Sequence, residues 1–528
     1  MIKPHRHHRA ARRAVPAAGI LLLAGCAVGP NFAPPKAPVP QHWSKHTLQP
    51  PPAVPQPPRQ DATPPVALAS PAAPGVSLAP LSTVEEQPAQ LEAWWGAFQD
   101  PTLSALIERS LRSNLELRVA VLRTQEALAE RDISAAGLWP SLAANASYDR
   151  ERISESTPEG SLLTTFPNLS IPGVPHISIP NPYNQYQLGA TASWELDLFG
   201  RLRRTVEAAN AAAQVSLEDQ RAVRVSLLGE VAQSYLALRG AQARKAVARE
   251  NLATIGDLLE LTRQRHAAGL NTELDVRNAI AELTQTRATL PAFDLQVSEA
   301  IHELGVLTDR QPEELRAELD RAAAVPPVPP RVPIGLPAEL ARRRPDIREA
   351  EANLHAATAQ IGVAVGNLYP DLTLSAQGAF QSESLGSLLK WGSLFETIGP
   401  ELDIPIFDRG RWKTVHLYKL KAREAALSYR STVLNALREV EDAAAAYNAD
   451  QQQREWLTDT VRQNEIALEL ARERYQSGLT DFLNVLDALR SLQQNQMAML
   501  ASTTAVSTDL VTLYRTLGGG WASPSANR

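Results

Sequence analysis

Arg474-Tyr-Gln-Ser-Gly478-Leu479-Thr-Asp-Phe-Leu483-Asn-Val485 lies inside a span, Gly410 to Gly518, that has no proline and whose only internal glycine is Gly478. Proline breaks helix interiors and glycine weakens them. The span therefore predicts one very long helix, a turn at Gly478, and a second long helix returning. Arg411 to Gln476 would be about 100 Å long at 1.5 Å per residue. Ordinary globular helices run about a third of that or less. Tyr183 to Leu290, also free of proline, repeats the plan around Gly269. Hairpins of this length build a shaft rather than a compact enzyme.

The two turns are related. Arg265-His-Ala-Ala-Gly269-Leu270-Asn-Thr-Glu-Leu274-Asp-Val276 matches the second turn at an offset of 478 − 269 = 209. Upstream, Trp139-Pro140-Ser-Leu142 matches Tyr369-Pro370-Asp-Leu372, an offset of 230, and Glu195-Leu-Asp197 matches Glu401-Leu-Asp403, an offset of 206. Matches that keep their order indicate an internal duplication with loop insertions, chiefly the Pro/Ser-rich loop Ser154–Pro182 of the first half. The first repeat is expected over residues 91–311, with a β-hairpin at about 141–198. The second is expected over 338–518, with a β-hairpin at about 371–407. A Pro-rich linker at 312–337 joins them, and a tail, 519–528, follows.

The strand signal is period-two alternation. Tyr186, Leu188, Ala190, Ala192, Trp194, Leu196 and Leu198 alternate with Gln187, Gly189, Thr191, Ser193, Glu195 and Asp197. Leu142–Tyr148 and Leu372–Phe380 alternate likewise, and Ile398–Ile406 does so less regularly. Alternation alone fits a half-buried soluble sheet or a membrane barrel strand. Four strands cannot close a barrel, and open edges cannot face hydrocarbon. Two chains would give eight strands, a barrel nearly filled by its own side chains. Three give twelve and leave a pore, so a trimer is expected, with a tetramer left open on these grounds.

The N-terminus bears on that choice. Lys3, Arg6, Arg9, Arg12 and Arg13 precede an apolar run, Val15 to Gly25, that is too short to span a bilayer and reads as a secretory signal over 1–25. Cys26 is the only cysteine, which excludes an intrachain disulfide and any multi-cysteine metal site. Leu23-Ala-Gly-Cys26 looks like a bacterial lipobox, with Cys26 the lipidated residue after cleavage. Ala27 in the next position implies, by that resemblance, sorting to the outer membrane. Residues 26–90 read as a lipidated N-terminus and a proline-dense tether, with order beginning near Leu91. Asp100-Pro101 opens a helix on Leu103, Leu106, Ile107 and Leu111.

Composition excludes several classes. A net charge of −5 and a pI near 6.1, with no basic stripe, give no case for nucleic acid. The chain has no His-Glu-x-x-His, Gly-x-Ser-x-Gly or Walker-type loop, so no catalytic residues, metal ligands or cofactor are expected. The competing class is a structural lipoprotein with soluble strands and a long helical spacer.

From Leu91 onward the chain resembles the TolC-like outer membrane factors, in the lipoprotein branch of multidrug efflux channels (NodT-type). The carriers are Trp94-Trp-Gly-Ala-Phe-Gln-Asp-Pro-Thr-Leu103, Arg343-Arg-Pro-Asp-Ile-Arg348, Glu195-Leu-Asp-Leu-Phe-Gly-Arg201 and the two glycine turns. The resemblance implies a mainly α protein with membrane β: a homotrimer whose twelve-stranded outer-membrane barrel continues into a periplasmic α-barrel. It also implies a periplasmic adaptor (membrane fusion protein) and an inner-membrane pump, proton-driven, as partners beside outer-membrane lipid. Drug efflux, metal export and polypeptide export compete as cargo classes; Met1, Met497 and Met499, the only methionines, speak against a metal-specialised channel.

Gly269-Leu270 and Gly478-Leu479 are the expected adaptor-docking tips. By resemblance, Tyr475, Leu483, Asp487, Arg490 and Asp275 form a periplasmic gate, with Asp275 paired to the tyrosine. Leu483, Asp487 and Arg490 share one helix face at i, i+4 and i+7. Asn484 stands where some relatives carry a second acid, so a less charged ring is expected. Structural readings exist for each: Leu483 as coiled-coil core, Asp487 as an i,i+3 partner of Arg490, and Asp275 as a residue capped by Thr272.

Overall fold

A computed structural model of the protein describes residues 27–36, 39–44, 81–87, 91–154, 156–158 and 181–522. The signal segment and Cys26 lie outside the described residues, as does most of the Ser154–Pro182 loop. The chain divides into two compact units. One comprises the described residues up to 33 and within 127–213 and 353–425; the other comprises the described residues within 34–126, 214–352 and 426–528.

The first unit holds a four-stranded antiparallel sheet in the order β2 (Ser141–Glu151), β3 (Tyr183–Leu196), β5 (Asp371–Ser382), β6 (Leu394–Asp403). Its register sorts the alternation into faces, because directly paired residues project to the same side. Leu142 pairs with Ala192 and Ala192 with Ala376, which pairs in turn with Ile398. Trp194 pairs with Leu374, and Leu196 with Leu372, whose other neighbour is Leu402. The face they share is apolar on all four strands, interrupted by the Arg150–Asn184 pair at one end and by Glu396 opposite Gly378. The other carries Asn145, Ser147, Gln187, Thr191, Ser193, Thr373, Ser375, Gln377 and Thr397. Leu142, Leu188, Leu374, Ile398 and Leu402 on the apolar face are exposed to the surroundings of the chain. Within the described residues, β2 and β6 have no strand on their outer edges.

The segment after Cys26 belongs to this unit. Val28 donates its N–H to Phe199 O at 3.0 Å. Arg204, on the first turn of α3 (Arg201–Ala267), donates to Val28 O at 3.2 Å and to Asn31 Oδ1 at 2.6 Å. Gly29 has φ +92° and runs so close to Gly362 that a Cβ on it would stand 2.6 Å from the Gly362 Cα. Residues 28–32 are therefore seated on the fold rather than part of a free tether.

α3 and α9 (Arg409–Gln476) begin in the first unit and continue in the second, where α3 turns at Gly269 into α4 (Glu273–Leu307) and α9 turns at Gly478 into α10 (Phe482–Thr516). α3 and α9 are 67 and 68 residues long, as the missing prolines predict. α4 continues through Pro291 to Leu307. Its ring costs one ladder bond, but Pro291 faces outward and the apolar positions Val297, Ala300, Ile301 and Leu304 carry the helix on. α1 (Pro101–Ser113) starts as expected: Asp100 accepts from Thr102 N at 2.8 Å and Leu103 N at 3.0 Å, and buries Leu103, Leu106 and Ile107. α2 (Leu115–Ala136) follows it.

Two stretches carry more structure than their composition suggests. Within 312–337, α5 (Pro312–Leu319) and β4 (Arg331–Pro333) fold, and β4 pairs in parallel with β1 (Thr83–Glu85) from the expected tether. Trp43 is buried and donates its indole N–H to Gly335 O at 2.8 Å. Single apolar residues among prolines show no periodicity, and β1 meets a partner far along the chain, so local pattern does not reveal either. The tail also begins inside the core: Gly520 N donates to Leu91 O at 2.8 Å, and Trp521 lies under Arg221, 4.4 Å from its ring centroid. α6 (Pro337–Arg343) and α7 (Pro345–Gly366) complete the helices of the second repeat before the sheet.

One half-buried carboxyl in this unit is pH-sensitive. Burial, followed by the neighbouring Asp450 carboxyl, pushes Asp509 on α10 up to about 7. A raised folded-state value means stability that is full below the ordinary carboxylate range and lost as pH rises toward 7. Burial and, in turn, Asp509 raise the neighbouring Tyr447 hydroxyl, which the Arg454 guanidinium draws down. Asp509→Asn should flatten the fall in stability between pH 5 and pH 8 by about 1 kcal/mol after allowance for partial exposure, and with it the fall in melting temperature. Thermal melts across that range measure it, and equal slopes in parent and variant would refute it.

Candidate gate and docking tips

Both hairpin turns close in the same way. Leu270 N donates to Arg265 O at 2.9 Å and Gly269 N to His266 O at 2.9 Å; Leu479 N donates to Arg474 O at 2.8 Å and Gly478 N to Tyr475 O at 3.0 Å. This is the Schellman pattern, which needs a left-handed residue. Gly269 and Gly478 supply it, each at φ +74°. Leu270 and Leu479 are left 65 % and 70 % exposed.

Below the turns, Tyr475, Phe482, Val485, Leu486 and Leu489 pack with Ile255, Leu258 and Leu259 of α3 and Ala279 of α4. The Tyr475 and Phe482 rings lie 5.8 Å apart. This packing fixes which face of α10 looks outward. Leu483, Asp487 and Arg490 are on it, with Leu483 56 % exposed. Leu483 is thus no core residue of the single chain.

Asp275 is not joined to Tyr475 here. It forms a capping box: Thr272 N donates to Asp275 Oδ2 at 3.1 Å, and Asp275 N donates to Thr272 Oγ1 at 3.4 Å. A carboxylate at the third position of a helix is held by the free N-terminal N–H groups. Asn271 takes its place, donating from Nδ2 to the Tyr475 hydroxyl. Arg265 completes the tie, 4.7 Å over the Tyr475 ring and 3.0 Å from Gln476 O. The two turns of one chain are therefore bound together by Arg265, Asn271 and Tyr475. Arg265 and Asn271 were visible as members of the repeat but not as a pair of partners, because Tyr475 lies 204 residues beyond Asn271.

Asp487 and Arg490 do not pair. Arg490 Nε donates to Glu282 Oε2 on α4 at 2.7 Å, and the Asp487 carboxylate has no hydrogen bond or ion pair among the described residues. Glu282 was missed in the sequence. Its signal is the heptad spacing from Asp275, which places it on the same face of α4.

The model for the family "Outer membrane efflux protein" matches residues 106–308 and 336–519. The chain belongs to that family. It is similar to Nodulation protein T of Rhizobium leguminosarum bv. viciae, at 30 % identity covering 96 % of this chain and 92 % of the relative. It is also similar to the probable efflux pump outer membrane protein TtgC of Pseudomonas putida, at 31 % identity covering 95 % and 94 %. Among solved structures, the outer-membrane channel OprN superposes with a TM-score of 0.77 at 32 % identity, covering 94 % of this chain and all of that one. The efflux family member described here has the fold of the trimeric TolC-like outer-membrane channels. It is an outer-membrane efflux channel that extends into the periplasm. Among the described residues no helix is long and apolar enough to cross a membrane, and no group of three or more His, Cys, Asp or Glu could hold a metal ion.

Proposed function

We propose that three copies of this chain join their four-stranded sheets edge to edge, β2 of one to β6 of the next, into a twelve-stranded outer-membrane barrel. The long hairpins line the periplasmic part of the passage. Drugs or other small toxic solutes enter at the tips from an inner-membrane pump, proton-driven, through a periplasmic adaptor that docks on Leu270 and Leu479. Leu483 and Asp487 narrow the passage, Tyr475, Arg490 and Asp275 support them, and lipid on Cys26 anchors the chain.

One observation carries this reading: a sheet mostly apolar across one face whose two outer edges have no strand partner among the described residues. In hydrocarbon every backbone N–H and C=O needs a partner. Each edge therefore requires a strand from another copy, and a closed ring satisfies all of them. An isolated spacer lipoprotein with soluble strands has no use for an outward apolar face.

The test is single-channel recording from the purified full-length protein in planar bilayers, beside fatty-acid labelling in cells. Discrete conductance steps, label on the parent and none on Cys26→Ala are expected. A spacer gives no steps, and equal labelling of the variant removes the lipid from Cys26. The barrel itself can still insert in that variant, because lipidation adds an anchor rather than a span.

A further inference from the structure

Glu282 is a carboxylate in a place that disfavours charge: its side chain on α4 is 8 % exposed. A buried carboxylate needs a partner, and it has one. Its Oε2 accepts from Arg490 Nε at 2.7 Å, across from α4 to α10. Arg490 keeps about half of its side chain, 51 %, exposed. It stands three residues after Asp487 on the outward face of α10, a spacing at which Arg and Asp ordinarily meet. Here the guanidinium is turned to Glu282, and among the described residues the Asp487 carboxylate has no ion-pair partner.

We propose that Glu282 is a selectivity determinant of the channel: by holding Arg490 it keeps Asp487 an uncompensated carboxylate. The proposal rests on the assignment of Asp487 to the constriction. Each chain then contributes one free negative charge to a ring of three, and a ring of carboxylates draws cations and repels anions. Without the Glu282 charge the guanidinium is free to turn along its own helix to Asp487. Each pair would then be neutral, and the field across the opening would collapse at short range, where a unit charge matters most. Glu282 itself does not face the passage; it acts through Arg490 as a positioning residue.

The test uses the purified full-length protein in planar bilayers under a KCl gradient, with the reversal potential as the readout. The parent is expected to prefer K⁺ over Cl⁻. Asp487→Asn should abolish that preference. Glu282→Gln should lower the K⁺/Cl⁻ permeability ratio roughly two-fold or more, while trimer yield and conductance stay near parental values. Glu282→Gln with Arg490→Gln should restore the preference, since the released cation is gone; additivity of the two changes would overturn the proposal. Arg490→Gln takes the guanidinium away from Asp487 and leaves a side-chain amide near Glu282, so trimers of this variant keep the proposal testable should Glu282→Gln not assemble. Its cation preference should equal or exceed that of the parent, and a fall would overturn the proposal. An unaltered reversal potential in Asp487→Asn would instead remove Asp487 from the constriction. Loss of selectivity in Asp487→Asn with parental selectivity in Glu282→Gln would leave the constriction in place and refute the role of Glu282.

Discussion

Leu483→Ala combined with Asp487→Ala is expected to raise single-channel conductance severalfold and to sensitise cells to large antibiotics such as vancomycin. Both side chains project from the outward face of α10, while Phe482, Val485, Leu486 and Leu489 hold the helix to its neighbours from the opposite face. The double variant therefore removes bulk and charge from the proposed constriction without touching the packing. Alanine is the best helix former, and truncation of exposed side chains changes stability by about 0.5 kcal/mol or less. The tie between Arg265, Asn271 and Tyr475 also stays intact. Three leucines and three carboxylates around one axis would be lost together, so pore radius and field change at once. Conductance at the parental level, in a variant that assembles normally, would place the constriction elsewhere in the channel.

The long hairpins were legible because helix length is a local property. Proline and glycine are absent over Arg411–Ser477, and nothing else needs to be known for α9 to form. The apolar sheet face was legible for the same reason, and the register then assigned Leu142, Ala192, Ala376 and Ile398 to one side. What escaped depends on partners remote in sequence. β1 is three residues of an apparently unstructured stretch until it meets Arg331–Pro333. Trp43 gives no periodicity, and its bond to Gly335 O spans 292 residues. At the tips, the turn residues could be named but not their bonds. Asp275 had two available partners, the cap and the tyrosine. The cap is local and meets the free N–H groups of its own helix, so Asn271 was left to reach Tyr475. Glu282 shows the limit most plainly: a charged residue in a helix reads as solvated face, and only the packing of α4 on α10 reveals it as buried and paired.

The largest effect on efflux is expected from Leu270→Asp combined with Leu479→Asp, which should reduce drug resistance to that of a strain lacking the protein. In a Schellman turn the residue after glycine commonly shields the helix end. Here both leucines are mostly exposed, so the turns stand on the glycine conformation and the backbone bonds from Leu270 to Arg265 and from Leu479 to Arg474. Those bonds use backbone atoms and survive the change to aspartate. The substitution therefore strikes an outer apolar surface and not the fold. Burying one leucine against a partner contributes on the order of 1.5–3 kcal/mol. Three chains present six such side chains, and a carboxylate at each site would be desolvated without a counter-charge on docking. Loss of even two of six contacts weakens such an interface by orders of magnitude, since each 1.4 kcal/mol is about tenfold. Trimer yield, outer-membrane abundance and bilayer conductance should match the parent, because none of them involves the adaptor. Resistance is measured at matched abundance, and parental resistance under that condition would show that the leucines are turn furniture and the adaptor docks on another part of the hairpins.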